Sequence, residues 1–192
     1  MEGSSVEHLT RQLDDLKKNA ATPAPPSISL RPFALTDVDD VMVWASDEKA
    51  SHYTNYDAFT DKQALLEYMK ETVLPHPWYR AICVDGGGPV GAVLLKPGAD
   101  GARDCRKGEL GYVVGTAHWG RGIATAAVKA AMGRVFEEVE GLERVEALVA
   151  VENKASQRVL EKAGFEREGT MRKYRVHKGS STDMVMYSFL TD

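Results

Sequence analysis

The residues with the clearest chemical potential are Gly120, Arg121 and Gly122, set in the run His118-Trp119-Gly120-Arg121-Gly122-Ile123-Ala124-Thr125. An apolar run from Leu110 to Val114 precedes them and reads as a strand; Ala126 to Met132 follows and reads as a helix. Two glycines at a strand-to-helix junction take backbone angles that other residues resist, and they let a ligand come close to the main chain. The first turn of a helix offers unpaired N–H groups and the positive end of the helix dipole. Arg121 adds a full charge. This combination suits a phosphate or pyrophosphate. A plain glycine turn is the alternative, and the surroundings must decide between them.

Two well-known phosphate motifs do not fit. Gly115 to Gly120 has P-loop glycine spacing, but Arg121-Gly122 stands where Lys and Ser/Thr belong, so no hydroxyl is offered to magnesium. Gly120-x-Gly122 resembles half of a dinucleotide fingerprint. Thr125, however, takes the third glycine position, and residues 115–119 separate the strand from the glycines.

The elements that must position these residues follow from pattern. Ile28 to Phe33 alternates apolar and polar residues and reads as a first strand, at an edge because of Pro32. Thr36 or Asp37 caps a helix that carries Val38, Val41, Met42 and Ala45 on one face. Thr60 to Gln63 has capping-box form and opens a second helix, ending before Pro75. Between the helices, His52 to Phe59 is a loop rich in aromatic and hydrogen-bonding groups, either facing a substrate or packed as a connector. Trp78–Val84 and Val90–Leu95 are strands joined by a hairpin turn at Asp85 to Pro89. Glu109–Val114 is the next strand, after a polar loop from Pro97 to Arg106. The helix behind the glycines runs to about Glu138, and Arg144–Ala150 is again a strand. Asn153 caps a helix that stops at Gly164. Phe165–Val176 and Thr182–Leu190 read as a final hairpin. The order is β-α-α-β-β-β-α-β-α-β-β, an α+β domain around one mixed sheet.

Composition narrows the function classes. The chain has 192 residues, enough for one domain with a real core, and a net charge of −4 with both signs interspersed, which argues against a nucleic-acid partner. Cys83 and Cys105 have no metal-ligand spacing; Cys83 falls in an apolar run and reads as core, which suits a reducing compartment. No run approaches membrane-spanning length, the N-terminus has no apolar leader, and residues 1–27 are too acidic for an organelle transit peptide. The expectation is a cytoplasmic protein, with the nucleus as a second compartment, using no metal. Residues 6–19 carry a narrow helical stripe at Val6, Leu9, Leu13 and Leu16, cut off by a linker containing Pro23, Pro25 and Pro26. Residues 1–27 therefore read as a frayed tail, or as a docking helix, with a Pro-rich linker, and 28–192 as the domain.

A second motif lies one strand beyond the glycine loop: Asn153-Lys154-Ala155-Ser156-Gln157-Arg158-Val159-Leu160-Glu161-Lys162-Ala163-Gly164-Phe165. The pair resembles the GNAT superfamily of acetyl-CoA-dependent N-acyltransferases. Gly122 and Ala124 stand at the small-residue positions of that family's Gln/Arg-x-x-Gly-x-Gly/Ala element, and Trp119 stands where Gln or Arg is usual. Together with Leu30-Arg31-Pro32-Phe33 and Glu109-Leu110-Gly111-Tyr112, the motifs are similar to the RimJ/RimL-like branch, which acetylates α-amino groups of ribosomal proteins. The resemblance covers about residues 28–190. It implies a single GNAT-like domain with about seven strands, mostly antiparallel, splayed between the fourth and fifth, and helices on both faces. It implies acetyl-CoA as co-substrate. The N–H groups of Arg121, Gly122, Ile123, Ala124 and Thr125, with Trp119 and Gly120, would hold the pyrophosphate. Backbone at Tyr112, Val113 and Val114 would pair with the pantetheine arm, and Asn153 and Ser156 would lie beside it.

Acetyl transfer to an amine needs a proton acceptor for the ammonium, a donor to the carbonyl oxygen, and a proton for the leaving thiolate. Glu109, on the cofactor-side strand, is the candidate base, with His118 second. An N–H near Val113 or Val114 is the candidate donor to the oxygen. Many relatives carry a tyrosine seven residues after the asparagine; this chain has Leu160 there, and Ser156 is similar to a serine proposed for the role in the RimL-like branch. Strand alternation turns Tyr112 away from the face of Glu109 and Gly111. Three functions remain open: transfer to a protein or peptide α-amine, transfer to a small amine, or an acyl-CoA-binding module without turnover. Acids at the acceptor mouth, Asp47, Glu48 and Asp57, would favour a polycation. The assembly is read as a monomer or a homodimer.

Overall fold

The computed structural model describes residues 26–98 and 106–191. The helical stripe at 6–19, most of the linker behind it, and Cys105 lie outside the described residues. Seven strands form one sheet in the order β1-β2-β3-β4-β5-β7-β6. They are β1 (Ile28–Pro32), β2 (Tyr79–Val84), β3 (Pro89–Pro97), β4 (Lys107–Val114), β5 (Arg144–Ala150), β6 (Glu166–His177) and β7 (Ser180–Leu190). Every neighbouring pair is antiparallel except β4 and β5. A parallel pair needs a crossover, and α4 (Ile123–Glu138) supplies it.

Strand alternation sends side chains to two cores. Leu110, Val145, Ala147 and Val185 pack with Ile123, Val128 and Val135 of α4 and with Leu160 of α5 (Lys154–Ala163). On the opposite face, Tyr79 and Ala92 pack with Val38, Val41 and Trp44 of α1 (Val38–Ala45) and Leu65 of α3 (Lys62–Tyr68). The short α2 (Glu48–Ser51) lies between α1 and α3 in the chain. Burying each large aliphatic side chain contributes roughly 1.5–3 kcal/mol, so the buried stripe of α4 fixes the glycine loop at its start.

Several boundaries follow their sequence signals. Asp85 and Gly86 both have positive φ, 51° and 74°, which is what the β2–β3 turn demands. Asn153 caps α5 through its side chain, and Gly164 ends it at φ 97°. Two expectations move. At Thr60–Gln63 the cap is Asp61, whose Oδ1 accepts the Ala64 N–H at 2.8 Å, while Gln63 donates to Glu67 at 3.1 Å instead of closing a box. Helix α3 then widens into a π turn, Met69–Val73, before Pro75.

Asp37 does not cap α1 with its side chain. Its carboxylate takes a bidentate pair from Arg31, at 2.8 and 2.7 Å, and the Ala34 N–H at 2.8 Å. Arg31 therefore holds the buried carboxyl below its ordinary value against the opposing effect of burial. Asp37→Asn is expected to cost about 1–3 kcal/mol at neutral pH, the size of a charge-assisted hydrogen bond. The folded pKa is depressed, so this stability is present above the unfolded value, near 3.9, and is lost as pH falls through the folded one. Thermal melts of the two proteins should differ at pH 7 and converge in acid.

Candidate active site

Strands β4 and β5 pair only at Lys107 with Arg144, Gly108 with Val145 and Glu109 with Glu146. Beyond that vertex they diverge. Each strand end is satisfied by a side chain instead of by its neighbour. The Trp119 indole donates to the Val114 carbonyl at 2.6 Å, and buried Gln157 donates to the carbonyls of Ala150 and Val151 at 3.2 and 2.9 Å. The splay expected between the fourth and fifth strands is thus present.

The ladder also decides which backbone groups face the gap. Gly98 N–H donates to Lys107 O at 3.0 Å and Gly115 N–H to Val90 O at 2.9 Å. The β3–β4 register runs without a bulge, and in a regular antiparallel pair the N–H and C=O of alternate residues point to the same side. The odd-numbered residues of β4 therefore bond to β3; the Leu110 N–H closes the parallel pairing on the Glu146 carbonyl, and beyond it Tyr112 and Val114 turn their N–H groups into the gap. This corrects one expectation: the Val113 amide belongs to the β3 ladder, and its side chain packs against the α1–α3 core.

At the gap's wide end, Gly120 and Gly122 have φ of 73° and 76°. A Cβ placed on either would meet no protein atom within 4 Å, so it is the backbone angle that demands glycine and the space above is open. Gly122 begins α4 with no side-chain cap, which leaves the N–H groups of Ile123, Ala124 and Thr125 without an intrahelical partner. Ile123 is fully buried and anchors the turn; Arg121 is exposed, its Nη1 3.4 Å from His118 Nδ1. These residues form an open cradle of donors with a cation beside it, which fits a pyrophosphate. His118 lies past the far end of β4. The strand from Glu109 to Val114 is roughly 17 Å long at about 3.4 Å per residue, so the structure does not bring His118 to the vertex.

Opposite the cradle, the Asn153 side chain accepts the Ser156 N–H at 3.1 Å, and the Ser156 carbonyl accepts the Tyr112 hydroxyl at 3.1 Å. Tyr112 thereby spans the gap beneath the cradle, on the face away from Glu109, as alternation predicts. Burial pushes its phenol up to about 12. Leu160 is fully buried in the core.

At the vertex, Glu109 and Glu146 are cross-strand neighbours, and each has its own arginine. Arg175 Nη2 donates to Glu109 at 3.0 and 3.4 Å, and Arg144 Nε donates to Glu146 at 2.8 Å. Arg144 also grips Glu168 at 2.8 and 2.7 Å, and Ser188 donates to Glu168 at 2.6 Å; together they hold that carboxyl down to about 2.

Arg175 is aimed by a bulge. The β6–β7 register jumps between Met171 and Arg175, with Lys173 at φ 49° and its N–H bonded to Asp183 at 2.7 Å. The tip of the hairpin docks on the 51–57 loop: Lys178 pairs with Asp57 at 3.2 Å, and His177 Nε2 meets the His52 carbonyl at 2.7 Å. Two of the three acids expected at an acceptor mouth are therefore engaged. Asp57 has Lys178. Asp47 caps α2 and hydrogen-bonds Thr116, which lowers its pKa. Glu48 is exposed.

Sequence reading passed over Arg175, Lys178 and Gln157. Gln157 carried a usable signal, a polar residue on the apolar side of an amphipathic helix. Arg175 carried none, because its partner is far away in sequence and the bulge decides its direction. Among the described residues, no cluster of His, Cys, Asp and Glu could hold a metal ion, and no helix is long and apolar enough to cross a membrane.

Comparison with known proteins agrees with this architecture. Residues 27–166 match the family described as Acetyltransferase (GNAT) domain. An N-acetyltransferase of Bacillus licheniformis named p20, itself uncharacterized, is 27% identical over 172 residues, which are 85% of this chain and 92% of that protein. The crystal structure of a GNAT-family acetyltransferase from Bacillus anthracis superimposes with a TM-score of 0.75 at 24% identity, over 85% of this chain and 94% of that one. The spermidine N-acetyltransferase of Vibrio cholerae, solved with CoA and spermine, gives a TM-score of 0.70 at 19% identity, over 85% and 95% of the two chains. With the family spanning most of the chain and the same seven-stranded splayed sheet beneath it, this protein belongs to the GNAT acetyltransferases and is an acyltransferase.

Proposed function

We propose that the protein transfers acetyl from acetyl-CoA to a primary amine by direct attack in a ternary complex, with the α-amine of a protein or peptide as the acceptor, as in the RimJ/RimL-like branch. The observation that carries this reading is a gap lined by free backbone amides, with a glycine cradle at its mouth and a carboxylate at its vertex. Acetyl-CoA would supply the activated thioester. The N–H groups of Gly122 to Thr125, with Arg121, hold its pyrophosphate. The N–H groups of Tyr112 and Val114 and the carbonyls of Leu110 and Tyr112 are offered to an extended arm, as an edge strand does to a peptide. Asn153 and Ser156 flank the arm on the α5 side.

Glu109 accepts the ammonium proton, directly or through one water, so that the nitrogen has a lone pair. An N–H on the gap side of β4 steadies the oxygen as charge builds; with the Val113 amide turned to β3 and the Leu110 N–H held by β5, Tyr112 or Val114 provides it. The carbon–nitrogen bond forms and the carbon–sulfur bond breaks; the proton that the nitrogen sheds on becoming an amide replaces, through water, the one that the Ser156 hydroxyl gives to the leaving sulfur. Tyr112 spends its hydroxyl on the Ser156 carbonyl. A small amine is the second reading, favoured by the hairpin whose tip is fastened over the 51–57 loop through His177 and Lys178.

Acetyl-CoA is expected to raise the melting temperature; at a hundredfold over its dissociation constant, linkage supplies about 2.7 kcal/mol. Calorimetry without heat and a melt without shift at millimolar acetyl-CoA would overturn the donor assignment. Incubation with acetyl-CoA and a mixed panel of peptides and amines, read by mass spectrometry, identifies the acceptor class.

A further inference from the structure

The charge arrangement at the vertex bears on what the acceptor carries besides its amine. Glu109 has Arg175 within 3.0 Å, and both side chains are about a third exposed, at 36% and 32%. Arg175 sits on β6 with Arg172, Lys173 and His177 beside it, and the hairpin tip is fastened over the 51–57 loop by His177 and by Lys178 of the turn. An ammonium arriving at Glu109 must share or take that carboxylate. Arg175 would then stand beside a second cation with its own counter-ion drawn away, and like charges at such distance repel. A polyamine aggravates this at every nitrogen. An acceptor bringing its own anion removes the conflict: its ammonium takes Glu109, its anion takes Arg175, and one ion pair becomes two. The guanidinium fork suits a carboxylate for this exchange. The spacing agrees, since the nitrogen and carboxylate oxygens of an amino acid are separated by only a few bonds, and the groups they would meet are 3.0 Å apart.

We propose that the acceptor of this enzyme is an amine with a carboxylate a few bonds from its nitrogen, and that Arg175 is the specificity residue that reads the carboxylate. The inference rests on the acetyl-transfer reading above. A free α-amino acid and a chain beginning with Asp or Glu share this chemistry. Arg175 makes no bond in the reaction. By taking the carboxylate it frees Glu109 to receive the ammonium proton, while the amine nitrogen bonds to the acetyl carbon and the thiolate leaves.

The test uses matched acceptors at saturating acetyl-CoA: alanine against alaninamide, and a peptide beginning with Asp against the same peptide beginning with Asn, with spermidine as the polycation. In the wild type, the carboxylate member of at least one pair should show a KM at least tenfold lower, the lower bound for a charge-assisted pair. Which pair responds tells the free amino acid from the acidic N-terminus. Arg175→Met should erase the difference, and Arg175→Lys should keep part of it. Equal KM within both pairs, a preference for spermidine, or discrimination that survives in Arg175→Met overturns the proposal while leaving acetyl transfer standing. The wild-type arm decides even if a variant folds poorly. If acetyl-CoA binds but no amine of the panel is acetylated, the acetyl-transfer reading falls with it.

Discussion

Glu109→Gln is expected to lower kcat by roughly 10² to 10⁴, the usual size of a general-base contribution. Glutamine keeps the size and most of the hydrogen bonding but cannot accept a proton. The position lies at the vertex, in the last residue pair that joins β4 to β5, whereas the pyrophosphate cradle lies at the far end of β4. Acetyl-CoA affinity should therefore change little, and isothermal titration checks this independently of turnover. The variant should regain part of its rate at high pH, where an α-amine with a free pKa near 8 has already lost its proton. That recovery separates a base from a residue that only orients the acceptor. Wild-type turnover across pH 6 to 9 would remove Glu109 from the mechanism and leave proton loss to water.

Gly122→Val should have the largest effect on the donor side. Valine at φ 76° is strained, because an L-residue in the left-handed region costs about 1–2 kcal/mol and a β-branched one is a marked outlier. No protein atom blocks the new Cβ, so the fold should survive with a modestly lower melting temperature. The methyl groups would instead stand where a pyrophosphate must approach the N–H groups of α4. Losing two charge-assisted hydrogen bonds corresponds to roughly a hundredfold or more in affinity. Unchanged acetyl-CoA affinity in a folded Gly122→Val protein would mean that the glycines form only a turn.

Much of this molecule was legible residue by residue. Apolar spacing located β5 and the end of α4, because each element buries one face against a single layer; α4 itself opens at Ile123, a turn ahead of the Ala126 read from the sequence. Asn153 and Gly164 marked α5 because capping is a local matter of a few atoms. The glycine pair was recognisable because left-handed backbone has few other solutions. What escaped was decided by partners distant in the chain. Asp37 looked like a helix cap, but Arg31 across the β1–α1 turn claims its carboxylate. Val113 and Val114 looked interchangeable as donors until the β3 register assigned one amide to the ladder and the other to the gap. Glu109 looked like an unencumbered base until the bulge before Arg175 brought a guanidinium to it across the sheet.

The way the gap presents itself to a donor has a consequence for variation. Along β4 the groups facing the gap are main-chain amides, while the side chains of Leu110, Tyr112 and Val114 point into the core behind them. An alanine scan of the strand would therefore record packing losses and miss the recognition itself, since every substitution but proline keeps the same N–H and C=O in place. The donor site can survive deep sequence divergence unchanged. The acceptor side, built from the side chains of a hairpin and a loop, can be rewritten one residue at a time. One scaffold is thus free to keep a single donor and drift widely in what it modifies.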